Sequence, residues 1–205
     1  MIRPVSGLYA VTPEMTDLTA LLAMVEAALR GGARVVQYRN KSGSDALRRL
    51  QAGEIALLCR DWEALFIVND SAALAREVDA DGVHLGMDDS GVANARSLLG
   101  PGKLIGVSCY NDILRAREGV AQGANYVAFG SFFVSQTKPE AVQAPIQLLQ
   151  LASSEIARPV VAIGGITEDN APGLIAAGAD AVAVLSDLFG AIDVEAKARR
   201  FSRLF

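Results

Sequence analysis

Gly178-Ala179-Asp180-Ala181-Val182 is one of three closely similar stretches that together decide the fold class of this sequence. The other two are Gly32-Ala33-Arg34-Val35-Val36 and Gly123-Ala124-Asn125-Tyr126-Val127, while Asp79-Ala80-Asp81-Gly82-Val83 follows the same plan loosely. Each ends a helix with a residue suited to a turn and then enters an apolar run typical of a buried strand. The repetition predicts a series of helix-to-strand connections along the chain.

Short apolar runs alternate with amphipathic stretches over the whole chain. Residues 18–30 illustrate the helical pattern, since Leu18, Leu21 and Val25 recur at helical spacing. The predicted strands are Leu8–Val11, Arg34–Arg39, Leu65–Asn69, Gly82–Leu85, Leu104–Val107, Tyr126–Phe129, Val160–Ile163 and Ala181–Leu185. Such strands, each followed by a helix and without a break in composition, predict one (βα)₈ TIM barrel that spans residues 1–205 as a single domain. A doubly wound open sheet is the alternative.

The composition agrees with a barrel and excludes some classes of partner. Of the 205 residues 51% are hydrophobic but only 6% aromatic, so aliphatic side chains must build the core, as in parallel strands buried on both faces. The net charge is −4 and no long basic cluster is present. A nucleic-acid partner is therefore not expected, because binding to phosphates needs a cationic face. No apolar run has the roughly 18 residues that a membrane span requires.

The two cysteines, Cys59 and Cys109, lie far apart without the spacing of a metal site. We expect free thiols in a reducing compartment, and, since no apolar stretch of signal-peptide length precedes Pro13, a cytoplasmic protein. Cys109 is expected to line the barrel mouth, and His84, the single histidine, to pack inside the barrel. The sequence leaves open whether the chain forms a homo-oligomer.

Catalytic groups of such barrels lie where the strands end, and charged side chains stand at the end of the second predicted strand. Gln37, Arg39 and Lys41 alternate along it and should project to one side, because residues two apart on a strand share a face. Two cations and an amide at one strand end are typical of an anion clamp. The alternative is that these charged side chains lie at an ordinary strand end, where water solvates them.

Carboxylates follow the third and fourth predicted strands, in Asn69-Asp70 and Asp88-Asp89. Asp70 and Asp89 on neighbouring strand ends could share a divalent cation that bridges phosphate oxygens. The alternative is that each aspartate caps the helix that follows it.

Two further loops carry features of phosphate binding. Residues 131–145 form a long connection after the sixth strand, in which Ser135, Thr137 and Lys138 could close over a diphosphate. The alternative is a disordered surface loop. After the seventh and eighth strands lie Gly164-Gly165 and Leu185-Ser186, at the place where these barrels often hold phosphate through backbone N–H groups.

These motifs, in their order and strand-end positions, resemble the thiamine phosphate synthase family over nearly the whole chain. The stretches that carry the resemblance are Gly7–Thr12, Val36–Lys41, Val68–Asp70, Asp81–Gly86, Gly106–Ser108, Thr137–Pro139 and Val161–Thr167. The sequence departs from the family pattern at Asn40, Met87, Ser135 and the triplet 109–111.

The resemblance implies a transferase that joins 4-amino-5-hydroxymethyl-2-methylpyrimidine diphosphate to hydroxyethylthiazole phosphate and releases pyrophosphate. It implies that Arg39, Lys41, Ser108 and Lys138 act in catalysis, with Ser108 on the pyrimidine. The pyrimidine diphosphate would be held by Gln37, Arg39, Lys41, Asn69 and Lys138. The thiazole phosphate would be held by Ser135, Thr137, Gly165, Leu185 and Ser186. Mg²⁺ would be the cofactor, bound by Asp70 and Asp89.

Three other functions share parts of this pattern. A thiazole tautomerase-like barrel would lack the carboxylate at Asp89 and the Thr137-Lys138 pair, both of which are present. A sugar-phosphate isomerase barrel would explain the glycines but not the clamp with two carboxylates. A barrel that binds thiamine precursors without turnover would keep the phosphate loops, and an assay for pyrophosphate release separates it from the transferase.

Overall fold

The computed structural model describes residues 4–86, 91–134 and 142–205 and places eight strands in one closed parallel barrel. The strands are β1 (Gly7–Val11), β2 (Val35–Tyr38), β3 (Leu65–Asn69), β4 (Gly82–Leu85), β5 (Leu104–Tyr110), β6 (Tyr126–Phe129), β7 (Val160–Ile163) and β8 (Ala181–Val184). Each strand pairs in parallel with the next, and β8 closes the barrel on β1 with Leu8 opposite Val182. The TIM barrel prediction is confirmed, and the doubly wound open sheet is wrong.

Helices follow the strands around the barrel. Within the described residues they are α1 (Leu18–Arg30), α2 (Asp45–Asp61), α3 (Ala72–Glu77), α4 (Gly91–Leu99), α5 (Ile113–Ala121), α6 (Gln147–Glu155), α7 (Ala171–Ala176), α8 (Ser186–Phe189) and α9 (Val194–Ser202). Helix α1 has the predicted bounds. It begins after Asp17, whose carboxylate accepts from the Ala20 N–H at 3.0 Å and so satisfies a donor left free at the helix start. Among the described helices, none is long and apolar enough to cross a membrane.

The barrel strands are buried on both sides, so their side chains form two separate apolar clusters. Alternate residues such as Val35, Ile67 and Ala183 point inward and fill the barrel. The residues between them, such as Val36 and Val182, point outward and pack under the helices. This division follows from the two-residue period of a strand, and it fixes which residues at each strand end face the barrel mouth.

The repeated stretches have a common structural role at the bottom of the barrel. Each comes just before an even-numbered strand, and the turn residue has positive φ, for example 101° at Gly123 and 53° at Asp79. In three of the four, the third residue accepts a hydrogen bond from a backbone N–H in the preceding strand. These pairs are Asp81 with Phe66 at 2.8 Å, Asn125 with Ile105 at 2.9 Å and Asp180 with Val160 at 2.8 Å. The repeat therefore fixes strand pairing, away from the mouth.

Candidate active site

The end of strand β2 shows the predicted alternation at Gln37 and Tyr38, although the strand ends at Tyr38, before Arg39 and Lys41. The Gln37 side chain is buried and points into the barrel, where its Nε2 donates to the Tyr9 hydroxyl at 2.7 Å. Tyr38 points outward and donates to Gln51 Oε1 at 2.8 Å. Thr12 holds the next residue, since its hydroxyl accepts from the Arg39 N–H at 3.0 Å. The strand therefore delivers the amide and the guanidinium to the mouth in a fixed register.

Glu14 is a component of the site that the sequence analysis missed. Its carboxylate accepts from Arg39 Nη1 at 2.6 Å, from the Ser42 hydroxyl at 2.8 Å and from the Ser42 N–H at 3.2 Å. The Ser42 hydrogen bond, assisted by the charge of Arg39, lowers the pKa of Glu14 below its ordinary value. The carboxylate is therefore ionised at neutral pH and orients the guanidinium.

Asn40, one of the departures from the family pattern, organises the loop behind the clamp. Its Nδ2 donates to Gln51 Oε1 at 3.1 Å, and its Oδ1 accepts from the Gly43 N–H at 2.8 Å. Gln51 is buried and is anchored in turn by donating to the Met15 carbonyl at 2.8 Å. An amide suits this position because it supplies a donor on one side and an acceptor on the other.

Asp70 lies beside this clamp, at the end of β3. Its carboxylate is 3.2 Å from the Lys41 ammonium, so the second and third strand ends meet as expected. The interpretation of Asp70 as a helix cap is wrong, because Ser71 caps α3 by accepting from the Leu74 N–H at 3.1 Å. Asp70 has φ of 64°, a left-handed conformation that few non-glycine residues adopt, and its N–H is tied to the His84 carbonyl at 2.8 Å.

The rest of the expected metal site is only partly described. Asp88 and Asp89 lie outside the described residues, and in the part of the chain that is described no group of three or more His, Cys, Asp and Glu side chains could hold a metal. Asn69 and Asp70 do offer a carboxylate and an amide oxygen at one strand end, which is the donor chemistry that Mg²⁺ prefers.

The long loop after β6 leaves the mouth between β6 and β7. Its candidates Ser135, Thr137 and Lys138 lie outside the described residues, but both flanks are fixed. On one side the N–H of Phe133 donates to the Gly164 carbonyl at 3.0 Å, and on the other the N–H of Ala144 donates to the Ser131 carbonyl at 2.8 Å. The first flank therefore lies beside the loop that follows β7, and the second flank returns to the end of β6.

The loops after β7 and β8 form the opposite side of the mouth. Gly164 and Gly165 have φ of 101° and 64°, and a Cβ at Gly165 would lie 2.6 Å from the Val134 carbonyl oxygen. The Asn170 side chain fixes this turn, since it accepts from the Thr167 N–H at 2.9 Å and donates to the Gly165 carbonyl at 3.1 Å. The short helix α8 begins at Ser186, directly after Leu185.

Between these two sides, buried polar groups form the floor of the mouth. His84 Nε2 lies 2.9 Å from the Ser108 hydroxyl, and His84 Nδ1 lies 3.1 Å from the Tyr126 hydroxyl. Burial lowers the pKa of His84 to about 4, so the imidazole is neutral at physiological pH. The expectation that His84 packs inside the barrel is confirmed.

Cys109 does not line the mouth, and that expectation is wrong. It lies within β5, which runs three residues further than predicted, and its fully buried side chain packs under the helices. Burial raises the pKa of its thiol to about 12, so the thiolate is not formed at neutral pH. Cys59 is likewise buried and free.

The fold and the mouth define a class of protein: a parallel (βα)₈-barrel enzyme whose rim carries a cation-and-carboxylate cluster facing a glycine-rich turn. The family model described as thiamine monophosphate synthase matches residues 8–188. The chain therefore belongs to the thiamine monophosphate synthase family, and it is a transferase of thiamine biosynthesis.

Individual relatives agree with this assignment. A thiamine-phosphate synthase from Methylobacillus flagellatus is 53% identical over 204 residues, which cover 100% of this chain and 97% of that one. A thiamine-phosphate synthase from Thiobacillus denitrificans is 55% identical over 199 residues, 97% of this chain and 94% of that one. The solved thiamine phosphate pyrophosphorylase from Pyrococcus furiosus superposes with a TM-score of 0.88 at 33% identity, covering 97% of this chain and 94% of that one.

Proposed function

We propose that the chain forms thiamine phosphate by transferring the aminopyrimidine methyl group of 4-amino-5-hydroxymethyl-2-methylpyrimidine diphosphate to the ring nitrogen of hydroxyethylthiazole phosphate. The observation that carries the proposal is a pair of ion pairs after β2, Arg39 with Glu14 and Lys41 with Asp70, where β2 and β3 open into the mouth. Two cations at one rim suit a diphosphate leaving group, because they neutralise charge that grows as the bond to carbon breaks.

The two halves of the mouth take the two substrates. Gln37, Arg39, Lys41 and Asn69 hold the diphosphate, together with Lys138 from the loop after β6. Gly165, Leu185 and Ser186 hold the thiazole phosphate, together with Ser135 and Thr137. Ser108, on the floor between them, contacts the pyrimidine. This division follows the strand order, since β2 and β3 lie across the barrel from β7.

Mg²⁺ is the proposed cofactor, bound by Asp70 and Asp89. The fit rests on the oxygen donors at the end of β3 and on the backbone conformation that holds the Asp70 carboxylate at the rim. When bound, the ion would neutralise negative charge on the diphosphate. Lys41 Nζ, 3.2 Å from Asp70, supplies positive charge at the same place in the described structure.

The proposed reaction asks the protein for positioning and charge stabilisation. The bond between the methylene carbon and the diphosphate oxygen breaks with carbocation character, the electron pair leaves with pyrophosphate, and the thiazole nitrogen donates its pair to the carbon. Arg39 and Lys41 donate hydrogen bonds to the departing oxygens. No group needs to remove a proton from either substrate, which is consistent with a mouth whose histidine, with a pKa of about 4, is a weak base and whose Cys109 packs under the helices.

A cytoplasmic location is part of the proposal, supported by two buried cysteines that form no disulfide. Small molecules are its proposed partners, and sedimentation or size-exclusion measurements on the purified chain establish whether it forms a homo-oligomer.

The test is to mix the purified protein with both substrates and Mg²⁺ and follow pyrophosphate and thiamine phosphate by phosphorus NMR. We expect equal amounts of both products and none after chelation of the metal. Binding of both substrates without product would instead identify a protein that only binds thiamine precursors. Formation of a rearranged thiazole alone would identify a tautomerase.

The metal assignment has a matched pair of variants. Asp70→Asn should raise the Mg²⁺ concentration for half-maximal rate about tenfold or more. Asp79→Asn is the control, since Asp79 also has positive φ and also pairs with a lysine, Lys103 at 2.6 Å, but at the bottom of the barrel. An unchanged Mg²⁺ dependence in Asp70→Asn would remove this residue from the metal site.

A further inference from the structure

A line of hydrogen bonds crosses the interior of the barrel beneath the mouth. It runs from Gln37 on β2 to Tyr9 on β1 at 2.7 Å, and from Tyr9 to Tyr126 on β6 at 3.0 Å. It continues from Tyr126 to His84 on β4 at 3.1 Å, and from His84 to Ser108 on β5 at 2.9 Å. Five strands thus contribute one residue each to a line of hydrogen bonds that joins β2 to Ser108, the residue proposed to contact the pyrimidine.

Each hydroxyl and the neutral imidazole in this line has a single hydrogen to donate. The direction of one hydrogen bond therefore fixes the direction of the next. Tyr9 accepts from the Gln37 amide, and its single hydrogen is then left for Tyr126. Once Tyr126 accepts from Tyr9, its own hydrogen is in turn left for His84 Nδ1, 3.1 Å away. A neutral imidazole that accepts at Nδ1 carries its hydrogen on Nε2, and donates it to the Ser108 oxygen.

All three ring-bearing members keep the protonation that this order requires. Burial raises the pKa of Tyr9 and of Tyr126, so both stay protonated. The His84 ring lies between the hydroxyls of Tyr126 and Ser108, and one donor and one acceptor nitrogen of a neutral imidazole suit these two partners. The three side chains are buried, and water therefore has little access to reverse the order.

We propose that this line orients the Ser108 hydroxyl, so that its hydrogen points into the mouth and donates to an acceptor atom of the bound substrate. Tyr126, Tyr9 and His84 are thereby positioning residues, which act through Ser108. The inference rests on the proposed function for the identity of the acceptor, which is an unprotonated ring nitrogen of the aminopyrimidine. The donor-to-acceptor directions of these hydrogen bonds are already set in the protein without substrate.

The packing around Tyr126 shows how the line is held. Gly106 pairs with both His84 and Tyr126 in the sheet, and a Cβ at Gly106 would lie 2.0 Å from Cζ of the Tyr126 ring. The ring therefore occupies the place of a missing side chain and stacks near His84, with ring centroids 5.5 Å apart. The hydroxyl cannot move far from Nδ1 without displacing β5.

Nuclear magnetic resonance of nitrogen-labelled histidine tests the proposal directly, because the chain has a single histidine. The two ring nitrogens of the ligand-free wild-type protein should show hydrogen on Nε2 and none on Nδ1. Ser108→Ala should keep this tautomer, since it is set from the Tyr126 side. Hydrogen on Nδ1 in the wild type would overturn the proposal without any variant.

Tyr126→Phe removes one link and should let a population with hydrogen on Nδ1 appear. It should also lower kcat/KM for the pyrimidine diphosphate about three- to tenfold, the effect of one hydrogen bond, with an unchanged KM for the thiazole phosphate. Tyr38→Phe is the matched control: its hydroxyl bonds Gln51 outside the barrel, so the histidine signals should not change. An unchanged tautomer and kcat/KM in Tyr126→Phe would contradict the proposal. A correct tautomer in a protein that makes no thiamine phosphate would contradict only the proposed function.

Discussion

The two sides of the barrel mouth differ in the groups that they present: charged side chains on one side, and backbone turns and a helix start on the other. At the ends of β2 and β3, charged side chains face one another, with Arg39 against Glu14 and Lys41 against Asp70. At the ends of β7 and β8 lie half-buried glycines with positive φ and the start of a short helix. Lys197 reaches this second side from α9, but Asp187 and Glu168 neutralise it at 3.0 Å and 3.6 Å.

This difference corresponds to what happens to each phosphate in the proposed reaction. The diphosphate gains charge as it leaves, so charged donors held in place are useful where it binds. The thiazole phosphate keeps its charge throughout, so it only needs to be held in place, which backbone geometry does well. We expect changes on the first side to act mainly on turnover, and changes on the second side mainly on KM.

Loss of the clamp should have the largest effect. Arg39→Ala should lower kcat about a hundred- to a thousandfold, because it removes a donor to the developing charge. Steady-state kinetics at saturating thiazole phosphate measure the change. Arg117→Ala is the control, since Arg117 also pairs with a glutamate, Glu155, but does so on the outer helices. A change in KM for the thiazole phosphate equal to the change in kcat would break the distinction between the two sides.

Gly165→Ala should have an intermediate effect, on the second side. The added Cβ would meet the Val134 and Phe133 carbonyl oxygens at 2.6 and 2.7 Å and shift the turn. We expect KM for the thiazole phosphate to rise roughly ten- to a hundredfold, with a smaller effect on kcat. Gly100→Ala controls for backbone strain, because Gly100 has φ of 79° but open space around it. If Gly100→Ala raised this KM equally, strain rather than the contact would be responsible.

Glu14→Gln should have the smallest effect, on stability. The folded-state pKa of Glu14 is depressed, so its contribution is present above the ordinary pKa of 4.5 and is lost as pH falls through the folded value. After solvent screening we expect at most about 1 kcal/mol at pH 7. Urea unfolding of both proteins should show a difference that shrinks between about pH 6 and pH 3. A difference that grew on acidification would have the wrong sign for this ion pair.

The fold could be predicted because its determinants are local. Each repeat combines a turn residue with the start of a strand, and three of the four repeats add a side chain that hydrogen bonds to the neighbouring strand. The predicted and observed strands differ only in where they begin or end. For example, β2 is shorter than the predicted Arg34–Arg39. Strand β5 continues to Tyr110, with a register shift after Ser108. Such irregularity depends on the partner strand, and no short stretch of sequence encodes it.

The site could be predicted only where its residues follow a local pattern. Alternation along β2 gave the direction of Gln37, and the position after β3 placed Asp70 near Lys41. Glu14 reaches Arg39 across 25 residues, and Tyr9 meets Tyr126 across 117, so nothing in the neighbouring sequence indicates either contact. Asp89, Ser135, Thr137 and Lys138 lie outside the described residues, and their roles stay predictions.

The neutral imidazole of His84 has a consequence for how the enzyme responds to acidity. Histidine is the side chain that ordinarily gains a proton between about pH 5 and 8, but here burial shifts that event to about pH 4. Burial raises the pKa of both cysteine thiols, away from the same pH interval. Over physiological pH His84 and both cysteines therefore keep a constant charge, and none of the three makes the rate depend on pH.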